Sequence, residues 1–525
     1  MRVSTYRART LLKRRPVVAR QPPISAFFTS GESGKEFSLC KIVATIGPAS
    51  EQADTLPPVV QAGLSVMRVN FSHATDEEVQ LRLKNLGMTT GMFPLDGENQ
   101  MLRSVMLDTK GPEIRTGGLQ AVHDTGDIKA KIQLTTGSSI ILTHDEAYSD
   151  CGTPEKLFVT YPSLATTVVA GSTVLLDDGA VSLTVTSVDT LSGEIFCTVE
   201  NDGEIASRRG VNLPGSKVDL PPMSEKDKED IKYGIQNDMD FVAASFVRKA
   251  TDIQEIRSWI SKCHAEVHGA GSSYPEAKVI AKVESTEALE NLDEITDAAD
   301  GIMVARGDLG VEVPLEEVVI WQKEMVEKCI AAAPGKPVVV ATQMLESMQK
   351  SPRPTRAEVS DVTNAVLDGA DCVMLSGESA NGSYPIESVA TMQSIIRTVE
   401  SWAPPSMSLE QMLQLSGSKE DTMAASAVFT SEKLSATMIV VNGKYGNMAR
   451  LVSKFRPSVP ILALVDNARV ARQLSIHRGV YPTLLSEAEA LPAAVSMGMC
   501  KPGDQVVNLV VNSEDGILSM SIGNV

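Results

Sequence analysis

The sequence predicts an α/β protein built around a (β/α)8 barrel of the TIM type, and three observations lead to that fold. Eight short, nearly continuous apolar runs follow one another along the chain, which is typical of parallel strands covered on both faces. Helical patterns lie between these runs. Polar residues fall at the end of each run rather than at both ends, so we expect them to share one mouth of the barrel.

The eight runs give the barrel strands in chain order. They read "LCKIVATIGPAS", "LSVMRVNFSH", "RSVMLDTKGPEIR", "MDFVAASFVR", "AKVIAKVES", "DGIMVARGDLG", "KPVVVATQML" and "DCVMLSGESA". Before the eighth run, Thr355 and Glu358 have the spacing of a capping box, and Gly369 is placed to end the same helix. We therefore predict that residues 39–115 and 219–398 form the barrel.

Two further folded regions are predicted. Residues 116–218 contain Thr- and Val-rich runs such as "STVLLDDGAVSLTVTSVD", which indicate an all-β domain inserted after the third strand as a lid over the mouth. Residues 399–525 include "SATMIVVNGKYGNMARLVSKFRPSVPILALVDN" and "DQVVNLVVNS". That pattern predicts a small C-terminal α/β domain of the regulatory type.

The composition excludes several classes of protein. A chain of 525 residues is too long for one compact core and predicts several domains. The net charge of −18 argues against nucleic acid as a partner, and no apolar run reaches the length of a membrane span. The seven cysteines are scattered without a C-x-x-C pair, which is typical of reduced thiols in an intracellular protein.

Residues 1–38 are predicted to be a basic extension. Its first 31 residues contain no acidic residue and seven basic ones, Arg2, Arg7, Arg9, Lys13, Arg14, Arg15 and Arg20. An N-terminal segment that is rich in arginine and free of acidic residues is typical of an organellar transit peptide. A disordered basic tail is an equally compatible interpretation. Cytoplasmic and mitochondrial locations therefore both remain open at this point.

Charged residues end two neighbouring strands of the predicted barrel. Lys282 and Glu284 close the fifth run, and Asp308 follows the sixth. The two carboxylates could hold one Mg²⁺ together with substrate oxygens, whereas each could also pair with its own cationic neighbour. Lys282 alone could form a Schiff base, but nearby cations such as Arg68 favour an anionic ligand instead.

Hard oxygen donors cluster at the ends of the second and third runs. They carry one negative charge, which is too little for Ca²⁺ and suits a monovalent cation; ordinary hydrogen bonding at strand ends explains the spacing as well. The four residues are Asn70, Ser72, Asp108 and Thr109.

From about Cys40 onward, the sequence closely resembles the pyruvate kinase family. The matching segments are long and occur in order: "IVATIGPAS", "MRVNFSH", "LDTKGPEIRTG", "RRGVNLPG", "VDLPPMSEKD", "AKVES", "GIMVARGDLGVEVP", "ATQMLESM", "PRPTRAEVSDV" and "DGADCVMLSGESANGSYP". The resemblance implies a barrel with an inserted lid and a C-terminal α/β domain. It also implies a glycolytic, usually homotetrameric kinase that moves the phosphoryl group of phosphoenolpyruvate to ADP, with Mg²⁺ and K⁺ as cofactors.

The resemblance also implies roles for matching residues. Lys282 would stabilise the transferring phosphoryl group, and Arg68 would hold the phosphate of phosphoenolpyruvate. Glu284 and Asp308 would hold Mg²⁺, with Asp308 also at the substrate. The substrate carboxylate would meet Gly307 and Thr342, with Thr342 near the route of proton delivery. The K⁺ ligands would be Asn70, Ser72, Asp108 and Thr109. The nucleotide contacts would be Asn70, His73, Arg115 and Arg209.

Two departures from the family pattern are expected to matter. Arg209 stands where the family often has lysine, so the charge is kept but its geometry changes. The loop "VNGKYGNMAR" lacks the Ser/Thr hydroxyls that bind a sugar bisphosphate in activated members, although Lys444 and Arg450 could still form an anion site. Two other functions remain as alternatives, a different Mg²⁺-enolate barrel enzyme such as a lyase or aldolase, and a non-catalytic homologue.

Overall fold

The computed structural model describes residues 37–89, 103–403, 407–496, 498–511 and 517–525. The chain separates into a unit of residues Met1–Lys35 and a unit of residues Glu36–Val525, and every described residue belongs to the second unit. Nearly all of the predicted basic extension, residues 1–38, therefore lies outside the described residues.

The fold begins with three parallel strands and two helices. In chain order these elements are β1 (Lys41–Thr45), α1 (Leu56–Gln61), β2 (Leu64–Asn70), α2 (Asp76–Gly87) and β3 (Ser104–Asp108). Strand β2 lies between β1 and β3, and Asn70 is the register partner of Asp108. The polar ends of β2 and β3 therefore lie side by side.

An insertion rich in β-structure follows β3. Its strands are β4 (Lys131–Leu134), β5 (Ser139–Thr143), β6 (Lys156–Phe158), β7 (Thr173–Leu176), β8 (Val181–Asp189), β9 (Glu194–Val199), β10 (Gly203–Ala206) and β11 (Val211–Asn212). Six of them form one sheet in the order β11-β7-β8-β9-β5-β6, and β10 pairs with β4. The predicted all-β character is confirmed, apart from short helices at α3 (Gln120–Thr125), α4 (Leu164–Thr167) and a 3-10 turn at Glu146–Tyr148.

The chain then completes the barrel with alternating helices and strands. The strands are β12 (Phe241–Ala244), β13 (Lys278–Val283), β14 (Gly301–Ala305), β15 (Val338–Ala341) and β16 (Cys372–Leu375). The helices are α5 (Glu225–Gln236), α6 (Ala250–His268), α7 (Thr286–Glu290), α8 (Leu292–Ala298), α9 (Arg306–Glu312), α10 (Val318–Ala331), α11 (Arg356–Asp368), α12 (Gly377–Ala380) and α13 (Pro385–Trp402), with 3-10 turns at Leu315–Glu317 and Glu346–Gln349.

The eight barrel strands close into a ring, as the sequence predicts. The order is β1-β16-β15-β14-β13-β12-β3-β2, and all neighbours are parallel. Helix α11 has the predicted capping box at Thr355 and Glu358 and ends at Gly369, whose φ is +96°. Because the strands are parallel, their carboxyl ends all meet at one mouth.

A five-stranded α/β domain ends the chain. Its elements are α14 (Leu409–Leu415), α15 (Lys419–Leu434), β17 (Met438–Asn442), α16 (Asn447–Lys454), β18 (Ile461–Leu464), α17 (Ala468–Leu474), β19 (Val480–Thr483), α18 (Glu487–Ser496), β20 (Gln505–Val511) and β21 (Leu518–Asn524). The sheet order is β19-β18-β17-β20-β21, with only β21 antiparallel. This agrees with the predicted C-terminal α/β domain.

The C-terminal domain covers the amino-terminal end of the barrel. Ile476, which follows α17, joins the apolar cluster inside the barrel with residues such as Met106 and Met303. Arg456 forms a buried ion pair with Asp371, where one guanidinium nitrogen lies 2.7 Å from Oδ2. The floor of the barrel is thus closed by both apolar and charged contacts.

Candidate active site

Asp108 lies at the centre of the barrel mouth between two cations. Arg68 Nε donates a hydrogen bond to Asp108 Oδ2 at 2.7 Å, and Lys282 Nζ donates to Oδ1 at 3.2 Å. Burial alone would raise the pKa of Asp108, but Arg68 and Lys282 outweigh it and hold that pKa below its usual value. Strands β2, β3 and β13 therefore bring together the three charges that the sequence placed at their ends.

Lys282 is held by oxygen atoms on three sides. Besides Asp108, its Nζ donates to Ser245 Oγ at 2.7 Å and lies 2.9 Å from Glu284 Oε1. Burial opposes the charge, but Asp108 and Glu284 outweigh it and raise the pKa of Lys282 above its usual range. A Schiff base needs a neutral amine, so this environment argues against the Schiff-base interpretation and favours a permanent cation.

Glu284 and Asp308 fit the predicted Mg²⁺ site. Glu284 Oε2 accepts the Phe246 amide hydrogen at 2.6 Å, while the buried Oε1 makes no hydrogen bond despite its ion pair with Lys282. Burial, together with the nearby Asp308, raises the pKa of Glu284 to about 7, and burial also raises that of Asp308. Two close carboxylates with too little positive charge between them would be stabilised by a divalent cation.

The described residues contain no metal site made of protein ligands alone, at the mouth or elsewhere. No group of three or more His, Cys, Asp or Glu side chains is arranged to hold a metal ion among the described residues. A pair of carboxylates leaves most coordination positions to water and substrate. That is the arrangement in which Mg²⁺, rather than Ca²⁺ or Zn²⁺, is usually bound.

Gly307 and Thr342 lie against each other beside this carboxylate pair. A Cβ atom at position 307 would approach Thr342 Cγ2 to 2.9 Å, so only glycine leaves the space open. Thr342 has a φ of +73°, a conformation that is strained for a β-branched residue. Arg306 stabilises this turn, since its Nη2 donates to the Thr342 carbonyl at 2.6 Å.

Arg306 does not pair with Asp308, which was the alternative to a metal site at that carboxylate. Its guanidinium instead makes two hydrogen bonds to Asp361 on α11, each 2.7 Å long. Because α9 starts at Arg306, the side chain of this residue turns outward from the mouth towards β15 and α11. The interpretation of Arg306 as part of the charged mouth is therefore wrong, and its role is to position Thr342.

The four oxygen donors predicted for K⁺ meet at the ends of β2 and β3. Asn70 Oδ1 accepts the Ser72 amide hydrogen at 3.1 Å, and Thr109 Oγ1 accepts the Ser245 amide hydrogen at 3.1 Å. These are the hydrogen bonds that ordinary strand ends also make. Asn70 Oδ1 and Thr109 Oγ1 each keep a lone pair that could meet a monovalent cation, whereas Asp108 Oδ1 already accepts hydrogen bonds from Lys282 and Ser245.

Two of the four predicted nucleotide residues, Arg115 and Arg209, lie at the junction of barrel and insertion. Arg115 and Gly210 form a β-bridge between the two connecting chains, which brings Arg115 close to Arg209. Arg115 Nε donates to Glu113 at 2.6 Å, and Arg209 Nη1 lies 3.6 Å from Asp177 Oδ1. His73 is exposed just after β2, and no contact joins it to either arginine.

Two residues at the site were not assigned a role from the sequence. Ser245 donates to the Thr109 carbonyl at 2.6 Å and also accepts from Lys282, so it links the third, fourth and fifth barrel strands. Asp178 has a φ of +54° in a turn of the insertion, and its charge helps to raise the pKa of the buried Asp308. The Asp-Asp-Gly turn was visible in the sequence, but its approach to the barrel was not.

Comparison with known proteins identifies the family. The family model "Pyruvate kinase, barrel domain" matches residues 37–389, and "Pyruvate kinase, alpha/beta domain" matches residues 421–514. A pyruvate kinase of Geobacillus stearothermophilus is 44% identical over 479 residues, which cover 89% of this chain and 76% of the relative. Human pyruvate kinase PKLR is 41% identical over 449 residues, covering 85% and 75%.

A relative from Glycine max bears on location as well as on family. It is named a cytosolic isozyme of pyruvate kinase and is 43% identical over 500 residues, covering 89% of this chain and 93% of the relative. That name gives the mitochondrial alternative no support. Within the described residues, no helix is long and apolar enough to cross a membrane. On the two family models and these identities, the chain belongs to the pyruvate kinase family, whose members are phosphotransferases.

Proposed function

We propose that this chain catalyses transfer of the phosphoryl group of phosphoenolpyruvate to ADP, giving pyruvate and ATP, with Mg²⁺ and K⁺ as cofactors. The single observation that carries the proposal is the buried Lys282 cation, which lies between Asp108 and the Glu284 carboxylate at the mouth. Phosphoryl transfer depends mainly on positioning and on neutralising charge, and a permanent buried cation supplies both.

The substrate would be held by groups already fixed in place. Arg68 is anchored by Asp108 and by Thr45 Oγ1, the latter at 2.8 Å, so its remaining guanidinium hydrogens can meet a phosphate without reorganisation. The space between Gly307 and Thr342 would receive the substrate carboxylate, and the Thr342 hydroxyl would lie on the route of proton delivery to the enolate. Mg²⁺ held by Glu284 and Asp308 would neutralise charge on the phosphoryl oxygens.

The nucleotide and the monovalent cation would occupy neighbouring positions. Arg115 and Arg209 lie on the two chains that join barrel and insertion, so movement of the insertion as a lid would bring them to the nucleotide phosphates. Asn70 and His73 would complete that contact. K⁺ at Asn70, Ser72, Asp108 and Thr109 would add positive charge in a protein whose net charge is −18.

The alternative of a lyase or aldolase acting through a Mg²⁺-enolate is less favoured. Such an enzyme shares the carboxylate pair but does not need Arg115 and Arg209 at a lid junction. A non-catalytic homologue is also less favoured, because Arg68, Lys282, Glu284, Asp308 and Thr342 are all present. We further propose that the enzyme is a homotetramer, which sedimentation equilibrium would test.

A coupled assay of pyruvate formation tests the reaction. We expect turnover that needs phosphoenolpyruvate and ADP together and that is abolished by removing Mg²⁺ with a chelator. Replacing K⁺ by an organic cation should lower the rate strongly. Pyruvate formation without ADP would indicate a phosphatase or lyase and would contradict the proposal.

A cytosolic location is proposed from the name of the Glycine max relative. A fluorescent fusion of residues 1–38 should then remain diffuse in the cytosol. Accumulation of the fusion in an organelle would overturn this part of the proposal, and deleting residues 1–31 should leave turnover unchanged in either case.

A further inference from the structure

A polar cavity lies at the end of the barrel opposite to the mouth. It has a volume of about 220 Å³ and lies between the amino-terminal ends of β12 to β15 and the C-terminal domain. Four cationic side chains and two acidic ones line it, namely Arg257, Lys278, Lys336, Arg450, Asp297 and Asp300. The cavity therefore carries a surplus of positive charge in an otherwise acidic protein.

Arg450 on α16 differs from the other arginines at this interface. Arg456 pairs with Asp371 through two nitrogens, at 3.1 and 2.7 Å, and Arg472 pairs with Asp240 at 2.9 Å. Arg450 makes neither a side-chain hydrogen bond nor an ion pair with any residue that the structure describes, and its Nε is buried. The two Nη atoms are not among the buried atoms without a hydrogen bond, so the end of the guanidinium remains accessible to an anion in the cavity.

The nearest carboxylate is already engaged by other residues. Asp300 Oδ2 accepts hydrogen bonds from Arg257 at 2.6 Å and from the Val279 amide at 2.9 Å, and its Oδ1 lies 3.6 Å from Lys278 Nζ. It attracts Arg450 only from a distance. Asp300 therefore neutralises Arg257 and part of the charge of Lys278, and the charge of Arg450 is left over.

The remaining cation, Lys336, is not available to a ligand. Its ammonium group donates to the carbonyls of Thr296, Asp297 and Ala299 at 2.5 to 2.8 Å, which uses all three of its hydrogens at the end of α8. Arg450 is thus the cation best placed to meet an anion, and Lys278, which has only a 3.6 Å ion pair with Asp300, can contribute to the same site. They line the cavity from opposite sides, Arg450 from the C-terminal domain and Lys278 from the barrel.

His477 lines the same cavity and supports this assignment. Burial, together with the positive charges of Arg450, Arg456 and Lys278, lowers its pKa well below the usual value, so the ring is neutral. Its ring nitrogens make no hydrogen bond within the described part of the chain. A neutral imidazole N–H would therefore be a further donor to an anion bound between Arg450 and Lys278.

We propose that this cavity binds the phosphate group of a small phosphate monoester, held by Arg450, Lys278 and His477. A guanidinium fork with an ammonium and an imidazole donor matches the oxygens of a phosphate better than a single carboxylate. The volume is below the range of about 300–1,000 Å³ for drug-sized ligands, which limits the ester to a few carbon atoms. Arg450 is the last residue of the "VNGKYGNMAR" segment and lines the cavity, but Lys444 of the same segment does not, so the two cations do not form the joint anion site that the sequence left open.

Equilibrium dialysis of the full chain with radiolabelled inorganic phosphate and with glycerol 3-phosphate tests the proposal. Three proteins are compared: the unmodified chain, Arg450→Gln, and Lys444→Gln as a control that removes a nearby exposed charge. Any phosphate bound at the mouth is common to all three, so the difference between them isolates the cavity. We expect Arg450→Gln to bind one phosphate fewer per chain, with affinity at this site reduced at least tenfold, and Lys444→Gln to bind as the unmodified chain does.

A thermal unfolding measurement separates a ligand site from a structural role. Because Arg450 has no hydrogen-bond or ion-pair partner among the described residues, Arg450→Gln without ligand should unfold at the same temperature or higher. Only the increase in unfolding temperature caused by phosphate should be lost. Lys278→Gln should weaken binding several-fold as a second variant. Equal binding by Arg450→Gln, equal loss with Lys444→Gln, marked destabilisation by Arg450→Gln, or binding of inorganic phosphate but not of the ester would each overturn the proposal. None of these results depends on turnover at the mouth.

Discussion

The two ends of the barrel both contain buried carboxylates, but they differ in how completely the protein itself neutralises them. At the amino-terminal end, Asp371 is bound by two nitrogens of Arg456, and Asp240 pairs with Arg472. At the mouth, Asp108 is paired with Arg68 and Lys282, whereas Glu284 and Asp308 have only Lys282 nearby. Burial raises the pKa of Glu284 and Asp308, as it also does for Asp240, so the difference lies in the partners and not in the pKa. The comparison teaches that a complete set of partners marks a structural charge, whereas a missing partner marks a position kept for a ligand.

Breaking a fully paired charge at the amino-terminal end should have the largest effect, and the effect should be on stability. Asp371→Asn removes the partner of Arg456 and leaves a buried cation, which should lower the free energy of unfolding by about 3–5 kcal/mol. The measurement is urea denaturation. The control Glu204→Gln breaks the exposed pair with Lys131 and should cost at most about 1 kcal/mol. An equally stable Asp371→Asn would contradict the structural role of that end.

Removing the shared cation at the mouth should affect turnover instead. Lys282→Met takes away the charge that meets the phosphoryl group, so kcat should fall about 10²-fold or more. Binding of phosphoenolpyruvate and the folded structure should be largely retained. Lys232→Met, which breaks an exposed pair with Glu266, is the control and should keep full turnover. Turnover of Lys282→Met at the unmodified rate would refute the role assigned to Lys282.

A smaller effect is expected when a substitution alters the shape of the mouth rather than its charge. In Gly307→Ala the added methyl would lie 2.9 Å from Thr342 Cγ2 and displace the strained turn, which should lower kcat/KM for phosphoenolpyruvate about tenfold. Gly310→Ala is a matched control on the same helix, because its nearest neighbour would be 3.5 Å away. If both variants behaved alike, the gap beside Thr342 would not be a substrate contact.

The smallest predicted effect concerns the monovalent cation. Glu113 lies near enough to the mouth to act on the charge of Asp308, so the ammonium group of Glu113→Lys should stand in for part of the monovalent cation and reduce the requirement for K⁺. Glu113 also pairs with Arg115, and Glu113→Gln separates the loss of that pair from the gain of an ammonium group. The assay compares rates in K⁺ and in an organic-cation buffer. Full activity of the unmodified chain without Na⁺ and K⁺ would contradict the proposed K⁺ site.

The barrel could be predicted from the sequence because parallel strands that are buried on both faces consist of nearly continuous apolar residues. The sequence also placed Lys282, Glu284 and Asp308 together, since strand ends of a barrel converge. It did not predict that Arg306 turns away, because the partner Asp361 is 55 residues further along, on a helix. Contacts between distant elements have no periodic pattern in the sequence. For the same reason, the sequence could not show that Arg450 lacks a partner among the described residues.

Ile476 has a consequence for the order in which the chain is made. The last barrel strand ends at Leu375, but the side chain that fills the floor of the barrel is synthesised about a hundred residues later. At a rate of synthesis of roughly 5–20 residues per second, several seconds pass before Ile476 is made, and during that time the apolar interior at the amino-terminal end of the barrel is uncovered. During that interval the newly made chain can expose apolar surface to other chains, so its yield during synthesis should depend on how quickly the C-terminal domain folds onto it.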